Sequence, residues 1–329
     1  MSVSNNATST STVANFYGVN PRSLQRQYKD YLSHFKAWDQ QKHATDWLLF
    51  AKNLGTHLSL DETAFSNGDL YTIITNKSAK GKKGAIVAMI KGTKAEVVIK
   101  ILNKIPLKHR KKVMEVTLDM AGNMGLIVKK SFPNAALVID RFHVQKLALD
   151  ALQEIRIKHR WEAIDTENDA IEITRSKSLK YTPKLLPNGD TLKQLLARSR
   201  YLLYKSSSKW TKNQSIRAEI LFEKYPDIEK AYKLCQNLYW IFNNTKDKTS
   251  ALIRLAKWDE KVRQAQFKSF STIARTMSIH YQNILNYFDN RSTNASAESF
   301  NAKIKDFRTQ FRSVRNVDFF LFRLSTIFA

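Results

Sequence analysis

A chain of 329 residues, 43% apolar and 11% aromatic, is long enough to bury a sizeable core and to hold two structural parts. Its 54 Lys and Arg against 29 Asp and Glu leave a net charge of +25, far more than solubility requires, so the expected partner is a polyanion, with nucleic acid ahead of an acidic protein or anionic lipid. The single cysteine, Cys235, excludes an intramolecular disulfide and any cysteine-based zinc site. With neither a secretory signal nor a long apolar run, the chain reads as cytoplasmic and nucleoid-associated, with no membrane partner.

Met1 to Thr12 is rich in Ser, Thr and Asn and reads as a disordered start. Asn20-Pro21-Arg22-Ser23 then opens a helix, with Leu24, Tyr28, Tyr31, Leu32 and Phe35 at helical spacing and Arg22, Arg26 and Lys29 on the other side. The preceding Phe16-Tyr17-Gly18-Val19-Asn20 has two readings. It is the turn of a helix-turn-helix whose second helix enters a major groove, or it leads into a plain amphipathic helix packed on the main domain. Residues 1–50 thus hold a disordered start and N-terminal helices, a remnant of a DNA-binding region on the first reading.

Residues 51–142 carry the strands. Three short apolar runs each end on a carboxylate: Leu58-Ser59-Leu60-Asp61, Val116-Thr117-Leu118-Asp119, and Ala135 through Ile139 to Asp140. Asn67-Gly68 marks a hairpin between the first run and Leu70–Ile74, and Lys77 to Gly84 is a lysine-rich turn leading into Ala85–Ile90. That tip, with Lys82 and Lys83, either touches phosphates or is simply solvated. Thr93-Lys94-Ala95-Glu96 spells a capping box for a helix with Val97, Val98, Ile101, Leu102 and Ile105 on one face, ended by Pro106. Strand ends brought side by side would cluster carboxylates that repel by about 4 kcal/mol at ~4 Å in an effective dielectric near 20. A divalent metal with hard oxygen ligands, acting on a phosphodiester, is the chemistry such a cluster suggests.

From Val144 to residue 290 helical spacing dominates, as in Ile228, Ala231, Tyr232, Cys235, Leu238, Tyr239 and Phe242, with breaks at Pro183–Gly189 and near Pro226. The tryptophans there, Trp161, Trp210, Trp240 and Trp258, read mostly as core. Trp210, interleaved with Lys205, Lys209 and Lys212, also fits a platform for a flipped or frayed base. In the last segment Ala297, Phe300, Ile304, Phe307 and Phe311 form one helical stripe, and Glu298, Asn301, Lys305, Arg308 and Arg312 form a second about 100° round. Glu298 is the odd member of that cationic row. It either pairs with Lys305 or Lys303 and favours the helix start, or it is a third carboxylate brought to Asp61 and Asp119.

The order of three strands, helix, strand, helix, strand resembles the ribonuclease H-like fold, an α/β class with a mixed sheet. Asp61 and Asp119 lie where that fold carries its two catalytic aspartates. Asp140-Arg141-Phe142-His143 looks like the aspartate-x-x-histidine element of DDE transposases, and Asn294 to Lys305 looks like their glutamate motif, matching at Asn294, Glu298, Asn301 and Lys305. The chain therefore resembles a bacterial insertion-sequence transposase of the DDE class with a large all-helical insertion, over nearly everything after residue 55.

The resemblance implies a ribonuclease H-like core in 51–142, an all-α insertion in 143–290, and C-terminal helices in 291–329 that close the core and carry the last acid. It implies metal-dependent DNA strand cleavage and strand transfer, with Asp61, Asp119 and Glu298 as catalytic residues and ligands of two Mg²⁺ ions, Mn²⁺ being the alternative. Asp140 and His143 would brace the insertion. Asn301, Lys305, Arg308, Arg312, Lys82, Lys83 and Trp210 are the DNA-contact candidates, on element ends and target, in a dimer or higher assembly on DNA. The family's N-terminal zinc ribbon cannot be built with Cys235 alone, so the chain is either a fragment or works with a separate DNA-binding polypeptide for end recognition. Two rival readings are a ribonuclease H-fold nuclease without strand transfer and a non-catalytic, transposase-derived DNA-binding protein.

Overall fold

The computed structural model of the protein describes residues 8–64, 68–120, 122–310 and 316–329. The elements begin with helices α1 (Thr10–Phe16) and α2 (Pro21–Gln27), and continue with strands β1 (Trp47–Leu49), β2 (His57–Ala64), β3 (Leu70–Asn76) and β4 (Ile86–Lys91). Helix α3 (Ala95–Leu102), strand β5 (Glu115–Leu118), helix α4 (Gly122–Ser131) and strand β6 (Ala136–Ile139) complete the first segment. Next come α5 (Arg141–Ser176), α6 (Leu192–Arg198), α7 (Lys212–Lys224), α8 (Pro226–Asn244), α9 (Lys248–Ala265) and α10 (Lys268–Ile279), and finally α11 (Ala295–Gln310) and α12 (Val317–Phe328). The chain divides into two compact units, 1–140 with 290–329, and 141–289.

In the first unit the six strands lie in the order β1-β4-β3-β2-β5-β6. The β2–β3–β4 meander is antiparallel, as is β1 on β4, whereas β2–β5 and β5–β6 are parallel, each reached through a crossover containing a helix. Apolar residues on both faces make this a three-layer core. Leu58, Leu60, Ile74, Ala88 and Ile90 pack under α3 and α4 through Val98, Ile101, Leu102, Met124 and Val128. On the other face Tyr71, Ile73, Ile86 and Met89 meet Phe300, Ile304 and Phe307 of α11 and Phe320, Leu321, Leu324 and Phe328 of α12. The expected stripe of α11 is thus the buried one, except for Phe311, which lies outside the described residues.

Several local expectations need correcting. Asp61 does not end its strand, because pairing with β3 carries β2 on to Ala64. Strand β1 is only three residues long, too short for a periodic signal, and its register with β4 makes it an edge. Thr93 does not cap α3; the N-cap is Lys94, with no side-chain hydrogen bond, since Gly92 is held back by its bridge to Tyr71 and by Thr72 Oγ1 on its carbonyl. The start of the chain is ordered earlier than Thr12, as Ser9 caps α1 by accepting from Thr12 N–H. A turn at Gly18, with φ of +64°, then leads to Asn20, whose side chain accepts the Arg22 and Ser23 N–H groups and starts α2 at Pro21. Two short helices around a turn therefore stand where two readings were open. Val13, Tyr28, Phe35 and Trp38 pack against Phe319 and Phe322 of α12.

The second unit is helical throughout its regular elements. Its longest helix, α5, has 36 residues and runs about 54 Å. Thr191–Gln194 and Thr211–Gln214 form capping boxes at the starts of α6 and α7, and Pro226 opens α8 at its first turn. Ile228, Ala231, Tyr232, Cys235, Leu238 and Phe242 are buried as the spacing predicts, while Tyr239 is exposed. Trp258 is core, its indole N–H on the Leu234 carbonyl at 2.9 Å, but Trp161 and Trp240 are exposed. No helix among the described residues is long and apolar enough to cross a membrane.

Candidate active site

The parallel register decides where the carboxylates stand. Ser59 pairs with Thr117 and Leu118 with Ile139, so Asp61, Asp119 and Asp140 fall at one level on three neighbouring strands, with Asp119 and Asp140 each one residue beyond its strand. Adjacent strands lie about 4.8 Å apart, which sets the lateral spacing of the backbone there. Asp61 pairs with Ile73, a residue of the α11 face, and so points to that side.

Helix α11 meets Asp61 directly. Asn301 Nδ2 donates to Asp61 Oδ2 at 2.8 Å, and Glu62 N–H donates to Asp61 Oδ1 at 2.8 Å. Glu298, three residues before Asn301 and on the same helical face, is exposed in the first turn of α11, with its own N–H on the Asn294 carbonyl at 3.0 Å. Further along, Arg308 Nη1 donates to the Ala64 carbonyl at 3.3 Å and Lys305 is exposed, while Arg312 lies outside the described residues. In the turn between β3 and β4, at the end of the sheet where β2 starts and away from Asp61, Lys82 and Lys83 are exposed, and Lys303 Nζ donates to the Gly81 carbonyl at 2.9 Å.

Glu62 was not among the sequence candidates, although it is Asp61's neighbour. Its carboxyl is pushed above the usual range by burial, then by the charges of Asp119 and Asp61, so negative potential converges at this rim. Oxygen donors under mutual repulsion fit a divalent cation. Among the described residues no three His, Cys, Asp or Glu side chains are gathered closely enough to hold a metal, and one Asp61 oxygen is taken by Asn301.

Beneath the rim lies a buried polar network. Lys77 does not join the solvated lysine turn but folds inward, donating to Thr117 Oγ1 at 2.8 Å and pairing with Glu115 at 3.4 Å. Burial pushes the Lys77 ammonium below its ordinary range despite that partner. Burial also opposes ionisation of Glu115, but hydrogen bonds from Ser292 and Asn290 and the Lys77 charge outweigh it and hold its carboxyl low. Asp140 is buried and accepts the Asn294 N–H at 2.7 Å. The stretch leading into α11 is thus tied to β5 and to the end of β6. No sequence signal links residues 38 or 154 positions apart.

The remaining candidates sit in the helical unit. His143 is half-buried, with its ring edge-on to Phe142 at 5.8 Å between centroids. Trp210 is held in place: its indole N–H donates to the Leu202 carbonyl at 2.8 Å, and its ring packs on Tyr232 at 5.5 Å and Phe222 at 6.2 Å. Trp210 is nevertheless only half-buried and lines an open cavity with Ser207, Tyr239 and Trp240.

Searched against known proteins, the chain matches no curated protein. A sequence-family profile described as a transposase, of the DDE class and ISL3 type, matches residues 58–324, which takes in Asp61, Asp119, Asp140 and Glu298. A match over most of the chain, on a mixed sheet with a long helical segment before the helix that carries Glu298, settles the affiliation: the chain belongs to the ISL3-type family of DDE transposases.

Proposed function

We propose that Asp61, Asp119 and Glu298 are the catalytic carboxylates of this transposase. The observation that carries the reading is the hydrogen bond from Asn301 to Asp61, which joins the glutamate-bearing helix to the strand of the first acid. Glu298 lies one turn from that bond on the same face, and Asp119 stands at the level of Asp61 on the next strand.

As a DDE transposase the protein cleaves and joins DNA, in a family that uses divalent metal ions. The finer assignment is two Mg²⁺ ions, or Mn²⁺, held by Asp61, Asp119 and Glu298. When bound, such ions neutralise phosphodiester oxygens and lower the pKa of water. The protein's own part is positioning: Asn301 orients Asp61, and Lys305, Arg308, Arg312, Lys82 and Lys83 contact backbone phosphates of the element ends and target. Asp140 and His143 brace the chain where the helical segment begins. The active assembly on DNA is a dimer or larger.

The test is substitution by the amide. Asp61→Asn, Asp119→Asn and Glu298→Gln should each abolish strand cleavage while leaving the melting temperature and nonspecific duplex binding close to wild type. Near-wild-type cleavage by any one of them removes that residue from the site.

A further inference from the structure

Helix α5 carries a stretch at odds with the rest of the chain. From Glu162 to Glu172 there are five carboxylates, Glu162, Asp165, Glu167, Asp169 and Glu172, and no Lys or Arg, in a protein of net charge +25. Such a stretch repels a phosphate backbone, so DNA does not account for the apolar side chains it leaves uncovered. Ile157, Trp161 and Ile171 are 42%, 61% and 37% exposed.

Their spacing is informative. Ile157, Trp161, Ile164, Asn168 and Ile171 step by four, three, four and three, the 3.5-residue period that keeps a seam facing another helix. The chain's own contacts use a different face, on which Arg156 donates to the Leu196 carbonyl and Glu167 pairs with Lys193 at 2.8 Å.

We propose that this seam pairs antiparallel with the same seam of a second copy of the chain. Charge order selects both the partner and the direction. Lys158 and Arg160 precede the acidic run, so a parallel pair would lay carboxylates on carboxylates. An antiparallel pair, with its two-fold axis between Trp161 and Ile164, sets Trp161 on Ile164 of the second copy and Ile157 on Asn168. It also brings Lys158 opposite Asp165, twice by symmetry. Asn168 on the seam favours one register at a cost in stability.

The seam is short, about 21 Å from Ile157 to Ile171, and covers less than the ~800 Å² per partner of a standard stable complex. The association is therefore weak in isolation. It gains strength when DNA holds two copies together and raises their effective concentration. Both helices are already formed, so pairing does not carry the cost of folding them.

Sedimentation equilibrium of the full chain without DNA, at low salt, tests this independently of catalysis. The wild type should form dimers with a dissociation constant of about 10–100 µM. Trp161→Glu should be monomeric with an unchanged thermal melt, since Trp161 is exposed. Lys158→Glu and Asp165→Lys should each weaken self-association by about tenfold. An equimolar mixture of these two variants should recover it, because each then supplies the charge that the other lacks. A wild type that stays monomeric to ~500 µM, a Trp161→Glu variant that dimerises normally, or a mixture no better than its components would overturn the proposal. Any of the three would also leave the seam to a partner other than a second copy.

Discussion

Asn301 and Asp61 are 240 residues apart in sequence and 2.8 Å apart in space, the amide of one donating to a carboxylate oxygen of the other. Because α11 buries Phe300 and Ile304 on the sheet, the residue between and beside them is presented to β2 in a fixed orientation.

Asn301→Ala should therefore leave the fold intact and loosen Asp61. Partners of metal-ligating groups are typically worth 10–100-fold in metal affinity or activity, and a loss of about that size is expected in strand cleavage. Cleavage measured across a Mg²⁺ titration is the check; unaltered rates and metal dependence would remove Asn301 from any positioning role.

Glu62 makes a prediction about pH. Its carboxyl is raised in the folded chain, so between the unfolded value near 4.5 and the folded one the folded state binds the extra proton. Its contribution to stability is thus present at low pH and is lost as pH rises through the folded pKa. Glu62→Gln should raise metal-free stability near neutral pH and remove this dependence. Added Mg²⁺ should stabilise the wild type more at pH 7 than at pH 5, because ionised Glu62 adds negative potential beside the ligand carboxylates. Chemical denaturation at the two pH values, with and without metal, reads both effects.

Asp140 is buried and satisfies the Asn294 N–H. Asp140→Ala would orphan that donor, at a cost of about 1–3 kcal/mol. The expected result is a lowered denaturation midpoint, with residual cleavage tracking the folded fraction. Wild-type stability combined with complete inactivity and loss of metal-induced stabilisation would instead make Asp140 part of the metal site.

The pair Lys77–Glu115 is held by Thr117, Asn290 and Ser292 in a largely dry setting. Removing only one charge should be costly, since the other is left buried. Glu115→Gln is expected to cost up to about 3 kcal/mol, and Lys77→Met/Glu115→Gln less than the sum of its single changes. Strict additivity in that cycle would mean that the two side chains do not interact.

The excess positive charge makes a last prediction. The logarithm of duplex affinity should fall linearly with the logarithm of salt concentration, by about 0.9 per phosphate engaged. Lys82→Ala, Lys83→Ala and Lys305→Ala should each reduce that slope by about 1. A slope unchanged in all three would place the contacts elsewhere on the surface.

Much of this arrangement is legible along the chain because it rests on local physics. Short apolar runs around Leu60, Val116 and Leu137 could bury themselves only as strands of one sheet, and Phe300, Ile304 and Phe307 recur at the period of a helix that must cover it. The helical segment after Asp140 follows from the same periodicity. What the sequence could not reveal depends on pairing at long separation. Asp61 looked like a strand end, yet the hairpin partner β3 extends β2 three residues past it. Lys77 looked like one solvated lysine among several, yet only the meander's packing turns it under the sheet toward Glu115. Glu62 became notable only when parallel pairing set Asp119 beside its neighbour, and the contacts of Trp210 with Phe222 and Tyr232 exist only once α7 and α8 have packed. Periodicity reports which face of an element is apolar; the identity of the group across from it is decided by register and burial, which exist only once the chain has folded.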